Sequence, residues 1–179
     1  MKVIVICDVS FSGHHLIASK PVLVQVGYEN IVSKGAKPGP TKRLHFEETV
    51  LPVEQWSQDY VCVGVPGSLR VLSSSPNVTV TVVDCSLNQT KSNTFLLKTV
   101  GSFIEVKMNA DCPVRIKSSE PVHILQHFQG QNLQHEFMFN VVAIEKFLPL
   151  YTVWIPVEQL YIVIQVPHLD GLYFLGENV

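Results

Sequence analysis

The sequence predicts an all-β chain, an antiparallel assembly of sandwich-like repeat units, and three observations carry that prediction. Valine occurs 28 times and alanine 4 times in 179 residues. Valine is stiff at its first side-chain torsion and fits a pleated surface, whereas alanine is the best helix former. The apolar runs are short, alternating or continuous, and Gly, Pro, Ser and Asn interrupt them, which is how strands between turns read. Several strand-and-turn phrases also recur in one order along the chain.

Taken in order, the runs predict strands at 2–7, 21–27, 60–65, 69–73, 78–84, 94–98, 102–108, 113–117, 121–127, 136–142, 151–155, 160–166 and 171–175. Gly67, Gly101 and Gly130 fall between runs and read as turn residues. Residues 28–44 are polar, rich in Gly, Pro and Lys and without periodicity, so they read as a long loop or linker. Helix is confined to a turn near Val53–Trp56 and another near Ile144–Phe147.

The repeat rests on three pairs of phrases. Ala18-Ser-Lys-Pro-Val22 returns as Ser118-Ser-Glu-Pro-Val122, each opening an apolar strand. Val53-Glu-Gln-Trp56 followed by Tyr60 returns as Ile144-Glu-Lys-Phe147 followed by Tyr151, and the alternation Val78/Val80/Val82 returns more loosely as Leu172/Phe174. These pairs divide the chain into the end of a preceding β unit (1–30), a linker (31–44), a complete unit (45–130) and the start of a following unit (131–179). A strand without its neighbour exposes unpaired backbone groups. The terminal pieces are therefore expected either to complete one unit between them or to belong to a longer protein.

Composition removes several function classes. Thirteen Lys and Arg against 15 Asp and Glu leave a net charge of -2, and the three arginines are scattered, so the basic surface that binds a phosphate backbone is missing. Charged residues are 16% and apolar residues 46%, the reverse of an intrinsically disordered chain. Apolar runs such as Val3–Cys7 and Tyr161–Ile164 are far shorter than the ~20 residues of a membrane-spanning helix.

Cys7, Cys62, Cys85 and Cys112 are widely spread and form no CxxC pair, which disfavours a zinc ribbon or redox motif. Two disulfides, with three possible connectivities, or four buried thiols both fit. Cys85 after a strand and Cys112 before Pro113 make the favoured pair. The sequons Asn77-Val-Thr and Asn88-Gln-Thr lie in polar stretches where a glycan could be accepted. Cysteines and sequons together point outside the cell. The N-terminus does not read as the expected secretion signal, because the apolar stretch Val3–Cys7 stops at Asp8; either the protein is not secreted or this start is not the natural one, and a fragment is the favoured expectation.

Reactive constellations are weak. Of His14, His15, His45, His123, His127, His135 and His168, only His123 and His127 have a suggestive spacing, and in a strand four residues span about 13 Å, too far for one ion. Phe11-Ser-Gly-His14 lacks the nucleophile elbow that exposes a catalytic serine. No Gly-rich phosphate loop is present, and neither metal nor cofactor is expected. Trp56, Tyr60, Phe147, Tyr151 and Trp154 read as packing residues, and the segments 35–43 and 128–135 as candidate contact loops. A carbohydrate-active enzyme using Asp111, Glu136 and Asp170 is the remaining catalytic alternative.

The phrases Ile17-Ala-Ser-Lys-Pro-Val-Leu-Val-Gln-Val26, Leu51-Pro-Val-Glu-Gln-Trp56 with Tyr60-Val61, Asn77-Val-Thr-Val-Thr-Val82, Ile116-Lys-Ser-Ser-Glu-Pro-Val122, Phe137-Met138 and Gly171-Leu-Tyr-Phe-Leu-Gly176 resemble the N-terminal domain family of the IgG Fc-binding protein. The likeness covers roughly 15–179 apart from the 28–44 loop. The resemblance implies a secreted, β-rich, non-enzymatic module of the kind found in mucus-type glycoproteins and adhesion proteins. Its implied partners are proteins, immunoglobulin Fc or mucin-type glycoproteins among them. The cysteine-dense D-type domains that accompany the family elsewhere are not present in this sequence.

Overall fold

A computed structural model describes residues 12–29, 45–86, 89–109, 112–129 and 136–148. The predicted strands 2–7, 151–155, 160–166 and 171–175 lie outside these residues. The described strands are β1 (Gln25–Glu29), β2 (His45–Thr49), β3 (Ser57–Cys62), β4 (Gly67–Ser73), β5 (Val78–Ser86), β6 (Gln89–Leu97), β7 (Phe103–Met108), β8 (Val114–Gln129) and β9 (Glu136–Asn140). Single 3-10 turns cover Val53–Gln55 and Ile144–Lys146, where the sequence confines its helix. Each described strand pairing is antiparallel, so the chain is an all-β fold.

The 16-residue strand β8 organises a seven-stranded, curled sheet. Its first half lies between β5 (Asp84↔Val114 to Val80↔Ser118) and β3 (Cys62↔Val114 to Asp59↔Lys117). Its second half lies between β4 (Ser73↔Val122 to Gly67↔Phe128) and β9 (Leu125↔Asn140 to Gln129↔Glu136). β6 and β7 extend the sheet beyond β5 and β4.

The exchange of partners falls on Ser118-Ser-Glu-Pro121. Here one β3 residue, Gln58, faces four residues of β8, a bulge that turns the strand. Pro121 has no N–H to give, so a bulge is where a long strand can accept it. Side chains take up the groups the ladder drops: Gln58 Nε2 donates to the Ser119 carbonyl at 3.1 Å, Ser119 Oγ accepts from Thr79 N at 3.0 Å, and Ser118 Oγ donates to the Glu120 carbonyl at 2.7 Å.

Period-two alternation sends one face of each strand into a single core. Leu69 and Val71 of β4, Val78, Val80 and Val82 of β5, and Ile116, Val122 and Ile124 of β8 are buried there together. Two close backbone approaches need glycine. A Cβ on Gly67 (φ 145°) would sit 1.9 Å from the His127 carbonyl oxygen, inside the β4–β8 ladder. Gly13 and Gly101, both at positive φ, press backbone to backbone, and Arg70 Nη1 donates to Ser12 Oγ beside them at 2.7 Å, which holds this stretch of the chain against the sheet.

One motif occurs twice. β1 pairs β2 from Gln25↔Thr49 to Glu29↔His45, and β8 pairs β9 from Leu125↔Asn140 to Gln129↔Glu136. Val50 N then bonds to the Val24 carbonyl at 2.9 Å, as Val141 N bonds to the Ile124 carbonyl at 3.0 Å. A 3-10 turn follows each hairpin, entered through Pro52 (φ -62°, ψ 153°) or Ala143 (φ -69°, ψ 150°).

Candidate functional site

Where the two hairpin-and-turn motifs meet, the fold gathers several polar side chains, buried Ser57 and His123 among them. Tyr60 projects inward from β3, 3% exposed, and its hydroxyl donates to the Val122 carbonyl at 2.7 Å while accepting from Ser57 N at 2.9 Å. Ser57 Oγ in turn donates to Glu145 Oε1. His123 is buried on β8, stacked on Trp56 with ring centroids 5.3 Å apart, and its Nε2 lies 2.7 Å from Asn140 Oδ1. Asn140 Nδ2 donates across to the Thr49 carbonyl at 2.7 Å and to Glu48 Oε1, and Trp56 Nε1 donates to the Leu51 carbonyl at 3.0 Å. Gln126 Nε2 donates to the Val63 carbonyl at 2.8 Å. A pocket of about 200 Å³ opens beside this seam, lined by Leu51, Gln55, Tyr60, Val142 and Lys146 among others. That is smaller than the ~300 Å³ at which drug-sized ligand sites begin.

The electrostatics of the seam favour neutral, unreactive groups. Burial lowers the His123 pKa, partly opposed by its bond to Asn140, so the imidazole stays uncharged. Burial also pushes Tyr60 up to about 12 and Cys62 up to about 12. A thiol becomes nucleophilic when its pKa falls, so Cys62, fully buried, is held in its inert form. Ser57 Oγ donates its hydrogen bond to Glu145 and His123 is bonded to an amide, so the described contacts do not build a serine–histidine relay. The seam fastens the two motifs together.

Outside the seam, charges are paired across strands. Arg115 grips both Asp59 carboxylate oxygens, at 2.9 and 2.7 Å, and that bond holds Asp59 below the usual carboxylate range. Arg70 likewise lowers Glu105 through a 2.9 Å contact and lies over the Phe103 ring. Among the described residues no cluster of His, Cys, Asp or Glu could hold a metal ion. No helix among them is long and apolar enough to cross a membrane.

The sequence-predicted site residues fall as follows. Asn77 is exposed at a left-handed turn position (φ 57°) before β5, with Val78 buried and Thr79 exposed behind it. Cys62 and Cys112 are free thiols, so the favoured Cys85–Cys112 bridge is not formed here; Cys85 lies in β5 and its side chain is outside the description. Cys7, Asn88, Asp111 and Asp170 lie outside the described residues, and Glu136 is placed through its backbone in β9 alone. His123 and His127 both lie on β8, the strand arrangement that their spacing was argued from. What sequence reasoning missed is the pairing of His123 with Trp56 and Asn140. No sequence signal marks it, because Trp56, His123 and Asn140 lie far apart along the chain and meet only through the Ser57↔Val122 register.

Neither a curated protein nor a solved structure matches the chain. The family model described as IgGFc binding protein matches residues 2–172, nearly the whole chain, including the β3–β9 sheet and both hairpin motifs. The chain belongs to the IgGFc-binding protein family.

Proposed function

We propose that this chain is an extracellular, non-enzymatic binding module that recognises other proteins, immunoglobulin Fc or mucin-type glycoproteins being the first candidates. The family match over residues 2–172 carries the reading. It is supported by a sheet whose buried Tyr60, Cys62 and His123 favour their uncharged forms, and loops carried on such a sheet are where recognition commonly resides. Placement outside the cell is supported by exposed Asn77 in an accessible sequon and by the β5–β8 ladder. That ladder ends at Asp84↔Val114, so Cys85 and Cys112 follow at the same end of it, and we propose them as a disulfide in an oxidising compartment.

The deciding experiment immobilises the purified chain and titrates Fc fragment and, separately, mucin over it. Saturable binding to either supports the reading, and no binding to both at tens of micromolar refutes it. A second reading, a structural unit that joins neighbouring units of a longer adhesion protein, is favoured by one observation, the repetition of the hairpin-and-turn motif. It expects no ligand but a chain that associates through strand edges.

A further inference from the structure

His123 touches both hairpin-and-turn motifs. It is 4% exposed on β8, its ring lies on Trp56, which closes the first turn, with 17° between the planes, and its Nε2 meets Asn140 at the end of β9. The bonds around Asn140 decide which ring nitrogen carries the proton. Both hydrogens of the Asn140 amide go to acceptors, the Thr49 carbonyl at 2.7 Å and the Glu48 carboxylate. Turning the amide over would set its oxygen against those two oxygens, so Oδ1 faces His123 and Nε2 is the nitrogen that donates to it. A second proton must therefore enter at Nδ1, which has no partner among the described residues.

The charged groups on the surrounding elements are engaged elsewhere or stand apart. Glu48 of β2 accepts from the Asn140 amide, Arg70 of β4 is bonded to Glu105 of β7, and Glu145 and Lys146 of the second turn bond to Ser57 and Gln55. Glu54 of the first turn and Glu120 of β8 are exposed, and Glu136 stands at the far end of β9, opposite Gln129. His127 is four residues along β8, about 13 Å away in a strand. A cation formed at His123 thus gains no direct ion pair among the described contacts.

We propose that His123 is an acid-operated catch: uncharged, it holds the first motif against β8 and β9, and on gaining a second proton it releases the β1–β2 hairpin and the turn after it. The other described hydrogen bond from the first motif to the second, Lys146 Nζ to the Gln55 carbonyl, is exposed and offers little hold. The chain stays tied to the sheet at Ser12, through Arg70, and at β3, so the opening is local. It bares Trp56 and parts the apolar walls of the adjoining pocket, Leu51 and Val142. Burial lowers the His123 pKa from 6.5, with the Asn140 bond opposing it in part. The closed form therefore binds the proton more weakly than the open one. Its advantage is complete above 6.5 and is lost as pH falls through the lower, closed-form value.

Two measurements on the full chain test the catch. Proton NMR of the His123 ring, assigned by its loss in His123→Gln, is expected to show titration below 6.5. A value at or above 6.5, as a cation stabilised by the indole face would give, overturns the proposal. Hydrogen exchange, corrected for the intrinsic pH dependence of amide exchange, then compares residues 46–56 with 78–82. Opening of 46–56 should rise roughly three- to thirty-fold from pH 7 to pH 5, the upper figure being the limit for one group that titrates at 6.5 when open, while 78–82 stays unchanged. Asp59 and Glu105 are held below 3.8 and 4.5, so neither titrates in that window. His123→Gln keeps a donor for Asn140 and His123→Phe keeps a ring on Trp56, and the rise should vanish in both. No rise in the unaltered chain, an equal rise in 78–82, or a rise that persists in both variants refutes the catch. Neither readout involves Fc or mucin, so failure here and failure of ligand binding are distinguishable.

Discussion

Changing Tyr60 to phenylalanine removes one oxygen and leaves the ring in place. That oxygen serves two backbone groups, Ser57 N at 2.9 Å and the Val122 carbonyl at 2.7 Å, on a side chain 3% exposed. Both groups sit beside the bulge between Ser57 and Asp59, where the regular ladder is interrupted. Leaving a buried polar group unpaired costs about 1–3 kcal/mol, so two of them set the expected loss at roughly 2–4 kcal/mol once some relaxation is allowed. Urea unfolding followed by tryptophan fluorescence measures it, because Trp56 is stacked on His123 next to the lesion. The midpoint should fall with the slope unchanged, since the surface exposed on unfolding is the same. A loss below about 0.5 kcal/mol would refute the reasoning, because a buried hydroxyl with two partners cannot be removed that cheaply.

The remaining predictions concern the ladder, pH and modification. Gly67→Ala places a methyl group against the His127 carbonyl at a positive φ, and the expected destabilisation is about 3 kcal/mol by urea unfolding, against a near-neutral result if the β4–β8 approach were looser. Tyr60 and Cys62 are raised from 10.0 and 9.0 to about 12. Their contribution is therefore complete below the unfolded values and is lost as pH rises toward about 12, so the urea midpoint should decline from pH 9 upward and decline less steeply in Tyr60→Phe. Expression through a secretory pathway should give a chain whose endoglycosidase-sensitive mass is reduced in Asn77→Gln. Non-reducing peptide mapping of that secreted chain should join Cys85 to Cys112 and leave Cys62 free.

Much of the fold is legible in the sequence because alternation is a direct physical signal. The runs around Val71, Val80, Val106 and Ile124 became β4, β5, β7 and β8, and both short turns form where Val53–Trp56 and Ile144–Phe147 suggest. The misses have causes. His45-Phe-Glu-Glu-Thr49 is too polar to announce a strand, yet it is one because β1 supplies a complete ladder for it. Ser118–Pro121 reads as a break between two strands but is a bulge within one, since hydroxyl groups and Gln58 replace the ladder bonds that proline cannot make. The polar seam was less legible. His123, Asn140 and Trp56 are far apart in sequence, and nothing in each residue alone says that the imidazole will lie against an indole instead of facing an ion.

The centrality of β8 has a consequence for synthesis. Among the described strands, while the chain emerges from the ribosome, β3 waits without a partner, β4 can join only β7, and β5 only β6, until residues 114–129 arrive. The nascent protein thus spends most of its translation as separate hairpins with open edges, the state most exposed to aggregation. One late strand then gathers them, so any truncation before residue 129 should yield insoluble material, and maturation should proceed slowly in a single concerted step.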